Sequence, residues 1–318
     1  MILPNPPAII VDCDPGVDDA IALLLGFGAG LPITAVTTVA GNVPLDLTFG
    51  NARKICALAR RYSLPVYKGC PRPLLKPLAT AEEVHGVTGL QGANLPEADT
   101  FPPTEHAVTF LIQHLLETPD PIVVAALGPL TNLAVALVQC PQIADNISQL
   151  VVMGGARDTG NITPAAEFNM FVDPHAAHIV LSAGIPTTLI TLDTTHQVLT
   201  TAERLDSIRA IANPVSNAAA GMLSFYGQKD VDHYGLEGAP LHDPCVMAYL
   251  HSPELFTTRR VKVAVETVGE HTQGQTVIDW HSDGSGSTIQ VVETVDVEGV
   301  YALLLEALRG FSEPVVRL

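Results

Sequence analysis

Short, almost wholly apolar runs alternate along this chain with longer stretches of helical composition, and that order leaves few folds open. The first run, Ala8-Ile9-Ile10-Val11, meets carboxylates at Asp12 and Asp14 and is broken by Pro15-Gly16. A run apolar at nearly every position reads as a strand buried on both faces. The stretch from Asp18-Asp19 through Leu25 reads as a helix, with acidic residues in its first turn where they favour the positive end of the helix dipole. The pairing then recurs. Strands are expected over residues 33–39, 66–67, 122–127, 150–153 and 187–192, and helices over 45–62, 105–116, 130–138 and 174–182. Residues 200–226 read as helical, 261–295 as shorter strand-like pieces and 297–308 as a last helix. The expected fold is α/β: a Rossmann-like open, mostly parallel sheet with helices on both faces. No linker, repeat or low-complexity stretch divides it, so residues 1–318 are expected to form a single domain.

In open sheets of this kind ligands sit outside the carboxyl ends of the strands. Asp12, Asp14, Asn42, Leu127 and Met153 all fall at such ends. The longest irregular stretches, 69–103, 154–173 and 227–241, are long for a compact domain, which marks them for function.

The formal net charge of -17 repels polyphosphate, and no basic patch offsets it, so neither nucleic acid nor an anionic membrane surface is an expected partner. The same excess of carboxylates suits a hard divalent cation. Five scattered cysteines, Cys13, Cys56, Cys70, Cys140 and Cys245, show no paired metal-ligand spacing and read as reduced thiols of a cytoplasmic protein. The N-terminus lacks the form of a secretory signal, and no segment is long and apolar enough to span a membrane.

The densest local signal is Asp12-Cys13-Asp14-Pro15-Gly16-Val17-Asp18-Asp19, four carboxylates in eight residues at the junction of strand and helix. Crowded carboxylates raise one another's pKa values, and a bound divalent cation relieves this. The competing reading is a solvated acidic helix start, which the buried strand before it disfavours. Leu241-His242-Asp243-Pro244 places a histidine beside a carboxylate at a helix entrance, where Asp-Pro alone often means only an N-cap. A third candidate runs from Gly154-Gly155-Ala156 through Asn161 to Glu167-Phe168-Asn169, whose amides and carboxylate suit sugar hydroxyls but also occur in ordinary loops.

Taken in order, these segments resemble the inosine-uridine preferring nucleoside hydrolase family over almost the whole chain. The motifs that carry the resemblance are the run from Asp12 to Ala20, Thr37-Thr38-Val39-Ala40-Gly41-Asn42, Gly128-Pro129-Leu130-Thr131-Asn132-Leu133, Val152-Met153-Gly154-Gly155, Ala166-Glu167-Phe168-Asn169, Asp173-Pro174-His175-Ala176-Ala177 and His242-Asp243-Pro244. The resemblance implies the nucleoside hydrolase fold and Ca²⁺-dependent hydrolysis of the N-glycosidic bond of ribonucleosides. It implies that Asp14, Asp19, Asp243 and the carbonyl of Leu127 hold Ca²⁺, and that Asp14 is the general base for a metal-bound water. It further implies that Asp18, Asn42, Asn161, Glu167 and Asn169 grip the ribose, that Met153 lines the sugar pocket and Phe168 also meets the substrate, and that His242 serves the leaving base with His85 nearby. A homodimer or homotetramer and a place in nucleoside salvage follow from the same resemblance alone.

N-glycoside cleavage builds positive character on the sugar and negative charge on the base, which carboxylates and a proton donor respectively accommodate. Two other classes compete. A haloacid-dehalogenase-like phosphatase also opens on Asp-x-Asp after a strand, but Gly16 and the absence of a later paired Asp or isolated Lys count against it. A non-catalytic nucleoside- or sugar-binding protein would keep the ribose residues without needing Asp14 and Asp243 together. Gly26-x-Gly28-x-Gly30 follows a helix and reads as a helix end, not as a dinucleotide site. Asn146-Ile147-Ser148 and Asn161-Ile162-Thr163 match the glycosylation pattern without a leader to give it meaning, and Asp193 and His196 read as structural hydrogen-bonding residues. Base preference lies in the loops at residues 77–95 and 223–241, the second holding Tyr226, Gln228 and Tyr234; the lean is toward pyrimidine or broad specificity.

Overall fold

Eight strands pair in the order β3 (Val66–Lys68), β2 (Ile33–Thr38), β1 (Ile9–Cys13), β4 (Ile122–Ala126), β5 (Ile147–Met153), β6 (Thr187–Ile190), β12 (Ile289–Val295) and β9 (Phe256–Arg260). This computed structural model describes residues 7–98, 101–226 and 235–312. Every pairing is parallel except that of β12 with the edge strand β9. The strand order reverses at β1, which lies between β2 and β4, so the crevice of the fold opens at the carboxyl ends of β1 and β4.

β1 shows why its residues form a central strand. All five are buried, and they alternate between two cores: Ile9, Val11 and Cys13 face one, Ile10 the other. The first core is covered by α1 (Val17–Gly28), α2 (Leu45–Leu58), α10 (Pro214–Phe225), α11 (Pro244–His251) and α12 (Val297–Arg309). The second is covered by α4 (Ala107–Glu117), α5 (Thr131–Gln139) and α7 (Pro174–Leu181). Gly28 ends α1, as expected of a helix-end glycine, and lies so close to the backbone of Ala307 in α12 that any Cβ would overlap its carbonyl. Short helices α3 (Glu82–His85), α6 (Phe168–Val172) and α8 (Leu192–Thr195) punctuate the loops above the sheet. Two small antiparallel pairs, β7 (Leu199–Thr200) with β8 (Ala239–Pro240) and β10 (Lys262–Val265) with β11 (Thr276–Asp279), lie outside it.

The structure corrects several expected elements. Residues 200–226 are not one helix: α9 (Ala202–Ala210) ends before Ala212, whose φ of 57° reverses the chain, and Asn213 then caps α10 with Pro214 at its first position. α2 stops at Leu58, short of the expected Tyr62, and Arg60 takes a φ of 57° just beyond it. Within 154–173, expected to be irregular, α6 forms under the N-cap carboxylate of Glu167. The strand-like pieces expected over 261–295 are β10, β11 and β12, and β12 enters the main sheet beside β6 and brings β9 with it.

Candidate active site

The carboxyl ends of β2, β4 and β5, with the first turn of α1, open on a cavity of about 410 Å³. Asp18, Asn42, His85, Leu127, Met153, Asn161, Glu167, Phe168, Asn169, His242 and Asp243 line it. Asp14 and Asp19 are not in its wall, but both touch Asn42, which is.

The turn from β1 into α1 folds around Asp19. Its carboxylate accepts the N–H of Asp14 (3.1 Å) and of Gly16 (2.9 Å) and the Nδ2–H of Asn42 (2.9 Å), so it ties the strand end to the helix start. Asp14 turns Oδ2 to the N–H of Asn42 at 2.7 Å, whereas its Oδ1 is buried with no hydrogen-bond partner among the described residues. Gly41 and Gly128 flank this carboxylate so tightly that a Cβ at either would overlap it. Asp12 lies behind, its Oδ1 accepting from Thr37 Oγ1 (2.6 Å) and Asn132 Nδ2 (2.8 Å). Asp243 occupies the N-cap position of α11 with Pro244 next, yet its side chain caps nothing, so the carboxylate is not spent on the helix.

Burial dominates the electrostatics of this end. It lifts Asp12 to about 6 and, with the charge of Asp18, Asp19 to about 7. It also raises Asp14 well above the usual range, with Asp19 adding to it, and Asp243 likewise, with Asp18, Asp19 and Asp14 adding to it. Oxygens of Asp18, Asp19 and Asp243 lie within 4.8 Å of one another, and Oδ1 of Asp18, like that of Asp14, is buried without a hydrogen-bond partner among the described residues. No lysine or arginine lines the cavity among those residues. Clustered hard oxygens, two of them orphaned and no side-chain cation to balance them, fit a divalent cation of the calcium class. The family resemblance implies a cation role for Asp14 and a sugar role for Asp18; in the structure Asp18 groups with Asp19 and Asp243, while Oδ2 of Asp14 accepts the N–H of Asn42.

The wall expected to meet a sugar is held by its own polar groups. Glu167 accepts the N–H of Asn169 (2.8 Å), Gly155 (2.9 Å) and Met170 (3.1 Å), while burial pushes its carboxyl up to about 7. Asn161 accepts from the N–H of Phe168 (2.9 Å), and Asn169 donates Nδ2–H to the carbonyls of Leu127 (2.7 Å) and Met153 (3.2 Å). The Asn42 amide likewise donates to the Asp14 carbonyl as well as to Asp19. Residues assigned to a ribose from sequence therefore also brace one another.

The loop-built side of the cavity carries imidazoles packed against the carboxylates, with Nδ1 of His85 3.8 Å from Oδ1 of Asp18. His85 accepts the N–H of Val17 on Nδ1 at 3.1 Å, so its neutral ring holds the proton on Nε2. Tyr226 donates its hydroxyl to Oδ2 of Asp18 at 3.1 Å, and its ring lies 5.3 Å from that of His85. Nδ1 of His242 lies 2.7 Å from Oγ1 of Thr195, with the ring of His196 at 5.6 Å. Burial lowers His85, and burial with the neighbouring His196 and His85 takes His242 well below the ordinary histidine range. The two segments of this end are bound together, because Gly92 and Gly221 of α10 meet backbone to backbone, where a Cβ on either would overlap the other's carbonyl. Gln228 and Tyr234 lie outside the described residues.

Asp193 fits its structural reading, accepting from Arg157 N (2.7 Å) and Thr191 Oγ1 (3.1 Å), but His196 faces His242. Thr195, buried in α8, carries no sequence pattern that points to it; only the fold brings it to His242.

Residues 9–302 match the family model described as inosine-uridine preferring nucleoside hydrolase. The chain is 44% identical over 307 residues, 96% of its length and 98% of the relative's, to the pyrimidine-specific ribonucleoside hydrolase RihA of Shewanella woodyi. It is 43% identical over 94% of its length and 98% of the relative's to an uncharacterized protein of Schizosaccharomyces pombe. Among solved structures it resembles a plant nucleoside hydrolase (TM-score 0.89, 33% identity, 96% of this chain and 99% of that one). It is similar to the same degree to a purine-preferring ribonucleoside hydrolase from Gardnerella vaginalis (TM-score 0.89, 31% identity, 96% and 98% covered). Relatives so named are enzymes that cleave N-glycosyl bonds. No helix among the described residues is long and apolar enough to cross a membrane.

Proposed function

The chain belongs to the inosine-uridine preferring nucleoside hydrolase family, and from that premise we propose that it hydrolyses ribonucleosides to ribose and free base, preferring pyrimidine nucleosides and requiring Ca²⁺. The observation that carries this reading is one cavity that holds buried carboxylates and, packed against them, buried neutral imidazoles. Cleavage of an N-glycosidic bond makes the sugar cation-like and the departing base anionic, and the two kinds of group each suit one of these charges. The pyrimidine preference rests on the pyrimidine-specific relatives at 42–44% identity, since the solved structures that the chain resembles include a purine-preferring enzyme at 31%.

Asp14, Asp19, Asp243 and the carbonyl of Leu127 would hold the cation beside Asp18, and bound there it would neutralise the cluster and orient ribose hydroxyls and water. Asp14, with Oδ1 free of partners and burial raising its basicity, takes a proton from the attacking water. Asn42, Asn161, Glu167 and Asn169 are pinned by backbone contacts, so they meet the ribose in a fixed arrangement, with Asp18, Met153 and Phe168 completing the pocket. His242 donates to the leaving base, with His85 beside it.

Release of free ribose from uridine, cytidine, inosine and adenosine, measured after chelation and again after Ca²⁺ is returned, tests the reading. Calcium-restored release, fastest from uridine and cytidine, is the expected result. A folded, calcium-loaded protein that releases ribose from none of the four would point to a binding protein, and phosphate esters would be tried next.

A further inference from the structure

Thr195 closes α8, the short turn after β6, and is completely buried. Its Oγ1 stands 2.7 Å from Nδ1 of His242. With that nitrogen engaged at the back of a ring that lines the cavity, Nε2 is the nitrogen offered to a ligand. A hydroxyl can donate or accept, and which it does decides the tautomer of the imidazole. The other acceptor within reach of the Thr195 hydroxyl is the carbonyl of Leu192, at 3.4 Å, and that oxygen already takes the N–H of His196 at 2.8 Å. The hydroxyl proton is better placed on the short contact to Nδ1.

We infer that Thr195 is a positioning residue: its hydroxyl donates to Nδ1 of His242 and so fixes the proton of the neutral ring on Nε2, turned toward the leaving base. No proton need leave the ring; a neutral imidazole N–H stabilises developing negative charge as a hydrogen-bond donor. His85 reaches the same state by another route, with the Val17 N–H on its Nδ1. One cavity end thus presents two N–H groups of different parentage. That pattern suits a leaving group whose carbonyl oxygens and ring nitrogen gain charge together, as those of a pyrimidine do. The role in catalysis rests on the proposed hydrolysis, but the tautomer does not.

Two measurements on the full chain decide it. In long-range ¹H–¹⁵N spectra, with the His242 signals identified by their absence in His242→Gln, the wild-type ring should carry its proton on Nε2, and Thr195→Val should shift the population toward Nδ1. In kinetics, Thr195→Val should lower kcat on uridine about tenfold, the effect of one lost hydrogen bond. A nitrophenyl riboside, whose leaving group departs without help, should change less than about twofold in the same variant, and Thr195→Ser should restore the wild-type pattern. A wild-type ring protonated on Nδ1 would overturn the inference. So would equal slowing of both substrates by Thr195→Val, or Thr195→Ser behaving like the valine variant, since the methyl group alone would then matter. If Thr195→Val does not fold, the wild-type spectrum and the serine variant decide. If the wild type cleaves no nucleoside, the proposed reaction fails while the spectrum still judges the tautomer.

Discussion

Two sets of buried side chains meet in the cavity, one from the strand ends (the sheet end) and one from the loops (the loop end), and they are built in opposite ways. At the sheet end, Asp14 in the turn that leaves β1 and Asp19 in the first turn of α1 are gripped by backbone N–H groups, and Asn42 follows the end of β2. At the loop end, His85, Tyr226 and His242 come from three distant segments, each ring placed by a partner from another segment: Val17, Asp18 and Thr195. The same desolvation pushes the carboxylates up and the imidazoles down, because burial disfavours charge of either sign. What differs is the remedy. Excess negative charge at the sheet end calls for a cation, while the loop end stays neutral and works through hydrogen-bond direction.

The largest expected effect separates the ends by substrate. Asp14→Asn should cut kcat by about a thousandfold, in the range of a lost general base, and by the same factor for uridine, cytidine, inosine and adenosine. Unequal losses across the four bases, in steady-state ribose release, would mean that the sheet end also reads the base. A smaller effect is expected of Asn169→Ala, which removes the amide joining the carbonyls of Leu127 and Met153. It should raise KM about tenfold with little change in kcat, again alike for all bases, as fits lost binding shared by ground and transition states. A change confined to purines would break the division.

The smallest effect is on stability, where the ends should oppose each other as pH changes. Asp19 and Glu167 have folded values of about 7 against ordinary values of 3.8 and 4.5. Their ionisation therefore penalises the fold most fully above pH 7, and that penalty fades as pH falls through the folded values. His85 and His242 lie below the ordinary 6.5, so the stability they contribute is intact above that value and is lost as pH falls beneath it. In chelator, Tm should rise by about 2–5 °C between about pH 8.5 and 6.5 and flatten below. Added Ca²⁺ should raise Tm most at the alkaline end and remove the slope. A chelated protein whose Tm falls steadily over that window would show that the carboxylates are not held ionised at a cost.

The sheet end was legible in the sequence because one physical cause wrote both its fold and its chemistry. A strand apolar on both faces must lie inside a parallel sheet, and polar residues at its carboxyl end must then face the crevice; Asp14 and Leu127 follow from that. The joint between α9 and α10 was less legible. Asn213-Pro214 was there to be read, but the reversal occurs at Ala212, a residue whose type gives no sign of positive φ. The entry of β12 into the sheet depends on pairing with β6, a hundred residues away in sequence, and nothing local in either strand specifies it. The loop end was the least legible. Which nitrogen of His242 faces the cavity depends on a threonine forty-seven residues distant, and neither residue type nor spacing encodes that contact.

The glycine contact between Gly92 and Gly221 has a bearing on redesign. It locks the loop behind His85 to the helix that leads to Tyr226 with no side chain between them, so these two stretches cannot be exchanged separately for those of a homologue with another base preference. A graft of either alone would place a foreign backbone against a surface with no room for it. A chimera that carries both, glycines included, transfers the wall that holds His85 and Tyr226 as one piece and leaves the aspartates at the end of β1 undisturbed.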